Sequence, residues 1–235
     1  MTLIARLLTE LVGTFLFFAV IALSGSAGPL APVAIGAGLM VMVYMGGHVS
    51  GAHYNPAVSF GVFLRRKLTA TDLALYWITQ LVAAALAFTF GYVVSGHAGG
   101  IHPGAHVVLG SAIAAEIAFT AALVLVVLNV AVTPETQGNS FYGLAIGSTV
   151  AAGAFVAGPI SGGAFNPAVG FGATFASAIF AGGSWSDLWL YLVAPLVGAA
   201  LAAGIHKVQG KGLALATGPP EGEPSPGAPP PVSTG

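Results

Sequence analysis

The chain has 235 residues, of which 56% are hydrophobic and only 6% are charged, and its formal net charge is -1. Soluble domains carry about 25% charged residues, so this composition excludes an ordinary soluble domain, and the near-zero charge gives no indication of a nucleic-acid partner. The chain contains no cysteine, which excludes disulfides, thiolate metal ligands and cysteine nucleophiles.

Long charge-free runs indicate an all-α protein that crosses a membrane several times. Asp, Glu, Lys and Arg are absent from five runs: 11–64, 73–115, 117–134, 136–186 and 188–206. A spanning helix needs about 20 apolar residues, so the two shortest runs hold one span each and the others hold more than one element. Hydropathy and Gly/Pro punctuation predict six spans, near 7–25, 33–49, 72–95, 108–130, 141–158 and 187–207.

The first span is interpreted as a retained helix and not as a secretory signal peptide. Glu10 interrupts the amino-terminal region, and no small-residue cleavage site precedes a polar, soluble-looking sequence.

One short element occurs twice, as "VSGAHYNPAVSFG" at 49–61 and as "ISGGAFNPAVGFG" at 160–172, with eight of thirteen positions identical. Asn is a preferred N-cap and Pro is favoured at the first helical position, so each Asn-Pro-Ala starts a helix abruptly. The apolar runs that follow, near 55–65 and 166–178, are too short to cross a bilayer. They are predicted to be re-entrant half-helices. The two motifs are Asn55, Pro56 and Ala57, and Asn166, Pro167 and Ala168.

The repeat extends beyond this motif to the two halves of the chain. Asn55 and Asn166 are 111 residues apart, and Glu10 and Glu116 are 106 apart. Each half holds three spans, an odd number, so the halves must have opposite orientations. This is the inverted-repeat plan, which places functional sites at the midplane between half-helices. We therefore predict one domain over 1–209, with repeats at about 1–105 and 106–209.

The basic residues predict the orientation in the membrane. With six spans, all six Lys and Arg fall on the side of the amino terminus, which the positive-inside rule assigns to the cytoplasm together with the carboxyl terminus. The Pro/Gly-rich stretch 210–235 is predicted to be a disordered cytoplasmic tail. The short termini and the lack of a targeting sequence favour a bacterial inner membrane as the location.

The segments before each Asn-Pro-Ala motif are predicted to line a watery pore. Non-helical backbone at membrane depth is tolerated only inside protein or along such a cavity. The predicted ladder of carbonyl acceptors comprises Gly51, Ala52, His53, Gly162, Gly163 and Ala164. Two half-helix amino termini that meet at the centre also place partial positive charge there, which repels cations and hydronium. The amides of Asn55 and Asn166 remain available to a neutral hydrogen-bonding solute.

These features together resemble the aquaporin, or major intrinsic protein, family over about residues 7–207. The resemblance rests on "TELVGTF", "GGHVSGAHYNPAV", Glu116, "GPISGGAFNPAV" and "APLVGAAL". It implies a right-handed bundle of six helices and two half-helices, with one pore per subunit in a homotetramer in the lipid bilayer. It also implies that Glu10 and Glu116 are buried structural acids that accept hydrogen bonds from the re-entrant loops.

The resemblance further implies a selectivity filter of four positions, which match Ile35, Ala154, Gly163 and Val169. Water-selective members of the family usually present an aromatic residue, a His, a small residue and an Arg. Here Val169 replaces the Arg, and Gly170 replaces the Asp that is usual in glycerol facilitators. We therefore expect a wide, uncharged filter that passes water and small neutral solutes such as glycerol, urea, ammonia and metalloid acids, arsenite and borate among them.

Several alternatives stay open on the sequence alone. A strictly water-selective channel and a poorly conducting membrane scaffold are two of them. A coupled transporter needs an ionisable coupling site at the midplane, for which only Glu10 and Glu116 are available. No nucleophile–base pair or metal constellation indicates an enzyme, a cofactor or a metal site. His97, His102 and His106 are expected to be incidental in an outer loop, with a metal or pH sensor as the alternative. His48 is expected to pack between helices.

Overall fold

A computed structural model describes the backbone of residues 1–217 and the side chains of residues 1–210. It contains eight α-helices within that range and no strand. In chain order they are α1 Leu3–Leu23, α2 Ala31–Ser50, α3 Pro56–Leu64, α4 Ala70–Ser95, α5 Leu109–Val127, α6 Tyr142–Ser161, α7 Pro167–Phe180 and α8 Leu188–Thr217. A 3-10 segment, Ser24–Leu30, joins α1 to α2, and a π-helical turn, Leu128–Val132, extends α5.

Six of these helices are long enough to span a bilayer, as predicted. Five stretches are both long and apolar enough, and the first, Leu3–Ser50, contains α1 and α2 together. The other two helices, α3 and α7, have 9 and 14 residues. At 1.5 Å per residue neither reaches across a hydrocarbon core of about 30 Å. The predicted class, six spans and two half-helices, is confirmed.

The carboxyl-terminal boundary differs from the prediction. Helix α8 continues to Thr217, whereas the sequence assigned residues from 210 onward to a disordered tail. The stretch "GKGLALAT" contains Leu and Ala, which are strong helix formers, and the first prolines come only at 219 and 220. The rest of the predicted tail, residues 218–235, lies outside the described residues.

The packing of the helices shows the inverted repeat directly. In the first half α1 packs against α2 and α4, and in the second half α5 packs against α6 and α8. Each half-helix crosses to the other half, because α3 packs against α8 and α7 packs against α4. The two halves also meet along α2 and α6. The half-helices are therefore held between spans of both repeats.

The contact between α2 and α6 depends on two facing glycines. A carbon added at Gly36 would lie 2.5 Å from the carbonyl oxygen of Gly147 and 2.6 Å from Cβ of Ala151. A carbon added at Gly147 would in turn meet the carbonyl oxygen of Gly36. Small residues let membrane helices approach this closely, and the approach maximises van der Waals contact where apolar burial gives little driving force.

We expect Gly36→Ala to lower stability by about 1–3 kcal/mol, because the added methyl overpacks a backbone contact that cannot move without separating the two halves. The measurement is the unfolding midpoint of the purified protein in detergent. The matched control is Gly204→Ala on α8, where an added carbon meets nothing within 4 Å. Alanine is the better helix former, so the control is expected to be neutral or slightly stabilising. Equal midpoints for the two variants would contradict this role for Gly36.

The basic residues gather at one end of the bundle, here called the basic face, which holds Arg6, Arg65, Arg66, Lys67 and Lys207. Two contacts between helices bring these residues to the same end of the bundle. Arg6 makes two hydrogen bonds of 3.1 Å to the carboxylate of Asp72 at the start of α4. Arg65, at the end of α3, donates from Nε to Nδ1 of His206 on α8 at 2.9 Å. The clustering is the pattern that the positive-inside rule requires.

Candidate functional site: a pore between the two half-helices

Each half-helix begins at the asparagine of its motif. The side-chain Oδ1 of Asn55 accepts from the backbone N–H of Ala57 at 2.8 Å, and Oδ1 of Asn166 accepts from Ala168 at 3.0 Å. Both asparagines have extended backbone, with φ of -160° and -158°, and a proline follows in the first helical position. The local sequence thus supplies an N-cap and a preset first turn in both places.

The two asparagines also tie the motifs to each other. Nδ2 of Asn55 donates to the carbonyl oxygen of Phe165 at 2.9 Å, and Nδ2 of Asn166 donates to the carbonyl oxygen of Tyr54 at 2.9 Å. These reciprocal bonds join the loops that precede α7 and α3. An amide NH₂ has two hydrogens, so each asparagine keeps one N–H that this cross-link does not use. The half-helices therefore meet head to head inside the bundle.

The loops that lead into the half-helices share an unusual backbone. Gly51 and Gly162 end α2 and α6 in the left-handed region, with φ of 88° and 89°. Left-handed values recur at the corresponding non-glycine residues Tyr54 and Phe165, with φ of 47° and 49°. Such conformations cost about 1–2 kcal/mol for a residue with a Cβ, so surrounding contacts must hold them.

These loops expose a ladder of backbone acceptors. Among the described residues, no group donates a hydrogen bond to the carbonyl oxygens of six loop residues. The six are Gly51, Ala52, His53, Gly162, Gly163 and Ala164. They are the carbonyls that the sequence predicted to line a pore, and this role stays a prediction.

The first loop is clamped by Glu10, whose side chain is completely buried. Its Oε1 accepts from the hydroxyl of Ser50 at 2.7 Å and from the backbone N–H of His53 at 2.9 Å. Its Oε2 accepts from the backbone N–H of Tyr54 at 2.8 Å and from Nε2 of Gln80 at 2.9 Å. Four donors thus converge on one carboxylate, which fixes the strained loop.

The second loop has a matching clamp with three donors. Oε1 of Glu116 accepts from the hydroxyl of Ser161 at 2.7 Å and from the backbone N–H of Ala164 at 3.0 Å. Oε2 accepts from the backbone N–H of Phe165 at 2.7 Å. Glu116 is also completely buried. Both acids therefore lie where the resemblance expected them, at the re-entrant loops.

Sequence reasoning missed the residues that complete these clamps. The hydroxyl of Tyr76 donates to the carbonyl oxygen of Ser50 at 2.8 Å. The hydroxyl of Tyr191 donates to the carbonyl oxygen of Ser161 at 2.6 Å. The sequence did contain a signal for the two tyrosines. The Ser-Gly pair is identical in the two copies of the repeat, and the tyrosines are 115 residues apart, which is close to the repeat offset of 111. Gln80 has no such signal, since no second glutamine stands at its repeat position.

A cavity of about 340 Å³ lies on the side of the asparagines that faces away from the basic face. All four filter positions expected from the sequence line it, namely Ile35, Ala154, Gly163 and Val169. Val169 is 5% exposed, and Asn55 and Asn166 form the inner part of the lining. In the described part of the chain, no Asp, Glu, Lys or Arg contributes to this lining.

A second cavity, of about 330 Å³, lies toward the basic face. Its wall includes Gly51, Asn139 and Tyr142, and His53 lines both cavities and so stands at their junction. His48 is exposed and lines this second cavity. The expectation that His48 packs between helices is therefore wrong. It lies in the last turn of α2 and shares this cavity with residues of the 133–141 connection.

The outer-loop histidines make separate contacts. His97 lines the mouth of the first cavity and approaches the carbonyl oxygen of Ser95 through Nδ1 at 2.8 Å. Nδ1 of His102 lies 2.9 Å from Oδ2 of Asp187, and His106 is exposed. Within residues 1–217 no group of three or more His, Cys, Asp or Glu is arranged to hold a metal ion.

The fold and this site define a polytopic helical channel protein with a pore built by two half-helices. The family model described as major intrinsic protein matches residues 1–206, and the chain belongs to that family. Members of this family are channels and not enzymes.

Named relatives agree with this assignment. Aquaporin TIP2-3 of Zea mays is 36% identical over 201 residues, which cover 83% of this chain and 79% of the relative. Aquaporin TIP2-1 of Arabidopsis thaliana is 39% identical over 175 residues, covering 73% and 68%. The solved structure of the aquaglyceroporin from Plasmodium falciparum has a TM-score of 0.78 at 22% identity, covers 91% of this chain and 100% of that chain, and shows the shared fold.

These similarities correct one expectation. Both aquaporin relatives come from plants, so they do not support a bacterial inner membrane as the location. The short termini that suggested it carry no information about the host, because the bilayer constrains only the apolar spans. The coarser assignment, a multi-pass integral membrane protein, holds.

Proposed function

We propose that this protein is a passive channel for water and small neutral solutes such as glycerol, urea and metalloid acids. One observation carries the proposal: the cavity that leads to the paired asparagines is lined without charge, and small or aliphatic residues occupy all four filter positions. Channel function belongs to the family, and the breadth of the solute range is what we infer from this lining.

The filter supports a broad range for steric and electrostatic reasons. An arginine at position 169 would present five N–H donors and a permanent positive charge, whereas Val169 presents neither. Ile35 and Ala154 likewise provide no aromatic wall and no imidazole. Solutes larger than water therefore meet less steric resistance, and they find their hydrogen-bond partners in the backbone ladder and the asparagines.

Exclusion of ions then rests on the centre of the pore. The amino termini of α3 and α7 meet there, and each carries the equivalent of about half a positive charge from its aligned peptide dipoles. Positive half-helix ends are a known means of excluding protons and cations from a water pore. Asn55 and Asn166 add N–H donors at the same point, which suits a neutral solute with a lone pair.

Strict water selectivity is the second candidate, favoured by the names of the relatives, which are aquaporins. A coupled transporter has less support, because both oxygens of Glu10 and of Glu116 already accept hydrogen bonds from their loops. These two carboxylates hold the loops in place and are not free to bind a coupling ion. A poorly conducting scaffold is opposed by the cavities on both sides of the asparagines.

The proposal extends to orientation and assembly. The basic face is expected to lie in the cytoplasm, together with both termini, as positive charge at one end of the bundle requires. Each chain is expected to form its own pore within a homotetramer embedded in the lipid bilayer, as membership of the family suggests.

We expect proteoliposomes that contain the protein to take up water, glycerol and urea faster than empty vesicles, with flux linear in the gradient. The measurement is stopped-flow light scattering under water, glycerol and urea gradients. Strict water permeability would contradict the broad range and leave the water-selective alternative. Saturating flux would indicate a transporter, and no flux at all would indicate a scaffold.

A further inference from the structure

A hydrogen-bonded chain links the buried clamp of the first loop to a side chain of the pore. Gln80 donates from Nε2 to Oε2 of Glu10 at 2.9 Å and to the hydroxyl oxygen of Ser59 at 3.1 Å. Ser59 lies 3.0 Å from Nδ1 of His53 and donates to the carbonyl oxygen of Asn55 at 3.2 Å. Ser59 and Gln80 are completely buried.

The direction of each bond in this chain follows from its partners. The carboxylate of Glu10 can only accept, so the amide nitrogen of Gln80 must face it, and the second hydrogen of that nitrogen points at Ser59. The hydroxyl of Ser59 has one hydrogen and two lone pairs, and Gln80 occupies one lone pair. The remaining question is whether Ser59 gives its hydrogen to Asn55 or to His53.

The two arrangements differ by one hydrogen bond. If Ser59 donates to Asn55, its second lone pair accepts from Nδ1–H of His53, and every group of the hydroxyl is used. If Ser59 donates to His53, the bond to Asn55 is lost and a lone pair stays empty. A buried hydrogen bond contributes about 1 kcal/mol net, so the first arrangement is favoured.

We propose that Ser59, held by Gln80, is a positioning residue that fixes His53 as the Nδ1–H tautomer, with Nε2 as a hydrogen-bond acceptor toward the pore. Nδ1 is the edge that faces Ser59, and Nε2 has no partner within the described residues. A carbon added at Gly51 would lie 3.0 Å from Nε2, which places this atom beside the carbonyl ladder.

The consequence rests on the proposed function. With Nε2 as an acceptor, the ring nitrogen of His53 continues the row of loop carbonyls up to the donor N–H groups of Asn55 and Asn166. A passing molecule can then donate to each member of this row in turn. An N–H at this position would place a donor inside this row of acceptors and interrupt it.

The second half of the chain supplies an internal comparison. At the repeat offset of 111, Ala164 corresponds to His53 and Gly170 corresponds to Ser59. At the offset of 115 that relates the two clamp tyrosines, Pro195 corresponds to Gln80. All three polar members are thus replaced together by residues without a polar side chain. Three of the four donors to Glu10 have counterparts at Glu116, so the second loop is held without counterparts of His53, Ser59 and Gln80.

The test is the tautomer of His53 in the full chain, labelled with ¹⁵N-histidine and reconstituted in lipid vesicles. Solid-state NMR at a pH of about 9, well above the ordinary histidine pKa, distinguishes protonated from unprotonated ring nitrogens. A spectrum of His53→Asn assigns the signals of His53 by difference. We expect the wild type to show Nδ1–H, Ser59→Thr to retain it, and Ser59→Ala to shift the population toward Nε2–H.

Nε2–H in the wild type would overturn the proposal, and so would an unchanged tautomer in Ser59→Ala. The wild-type spectrum decides even where Ser59→Ala fails to fold. Ser177→Ala is the matched control, since Ser177 is a buried serine of the other half-helix, and it is expected to leave the His53 signals unchanged. Solute flux in the same vesicles separates this proposal from the proposed channel function. The flux tests the channel, and the spectrum tests only the tautomer of His53.

Discussion

Replacing Val169 with arginine is expected to reduce glycerol and urea permeability by about tenfold or more, while water permeability changes much less. A tenfold loss corresponds to about 1.4 kcal/mol of added barrier, which is about the cost of one unmade hydrogen bond or one tight steric contact. The measurement is stopped-flow swelling of proteoliposomes, with wild type and variant reconstituted at equal density.

The location of Val169 explains the direction of this effect. It stands in the first turn of α7, only 5% exposed, and lines the same cavity as Ile35 and Ala154. A guanidinium there would project into that cavity and would find free carbonyl acceptors at Gly162 and Gly163. It would narrow the passage and add a positive charge, and water is small enough to pass where glycerol is not.

The control for this prediction is Val169→Leu, which adds volume at the same site without charge or hydrogen-bond donors. We expect it to reduce glycerol and urea permeability by less than the arginine does. If Val169→Arg left all three permeabilities unchanged, position 169 would not belong to the constriction, and the argument for a broad solute range would lose its basis.

Replacing Glu116 with glutamine is expected to lower the free energy of unfolding by about 2–4 kcal/mol, because a buried acceptor becomes a donor among donors. The hydroxyl of Ser161 and the backbone N–H groups of Ala164 and Phe165 all point at the carboxylate. A glutamine offers one oxygen to these three donors and turns its NH₂ toward the rest. At least one buried donor then loses its partner.

The loss should also appear in function, since this clamp holds the left-handed backbone of Phe165 next to Asn166. We expect a lower unfolding midpoint in detergent and lower water permeability per folded channel. The matched control is Glu135→Gln in the exposed 133–141 connection, which is expected to change neither quantity. A stable, fully conducting Glu116→Gln protein would show that the loop holds its shape without the charge.

Much of the architecture is contained in local sequence. Each Asn-Pro-Ala sets its own helix start through an N-cap and a proline, so the starts of α3 and α7 are predictable without any knowledge of neighbours. The spans are predictable because a bilayer demands long apolar helices with internally satisfied backbone. The inverted repeat follows by counting, since three spans per half reverse the orientation.

The tertiary structure alone decided which groups meet. Asn55 contacts the loop before α7, and Glu10 contacts Gln80 and the loop before α3, across separations of 110, 70 and 44 residues. No local pattern encodes such pairs, because they arise only when both half-helices are folded between the spans.

The sequence by itself therefore determined the helices and their order, because these depend on local capping and on apolar length. The structure decided how the strained loops are held, that His48 lines a cavity, and that Gln80 and Ser59 connect Glu10 to His53. Those outcomes depend on the close crossing of helices from both halves, which sets distances between side chains that no single segment of the chain determines.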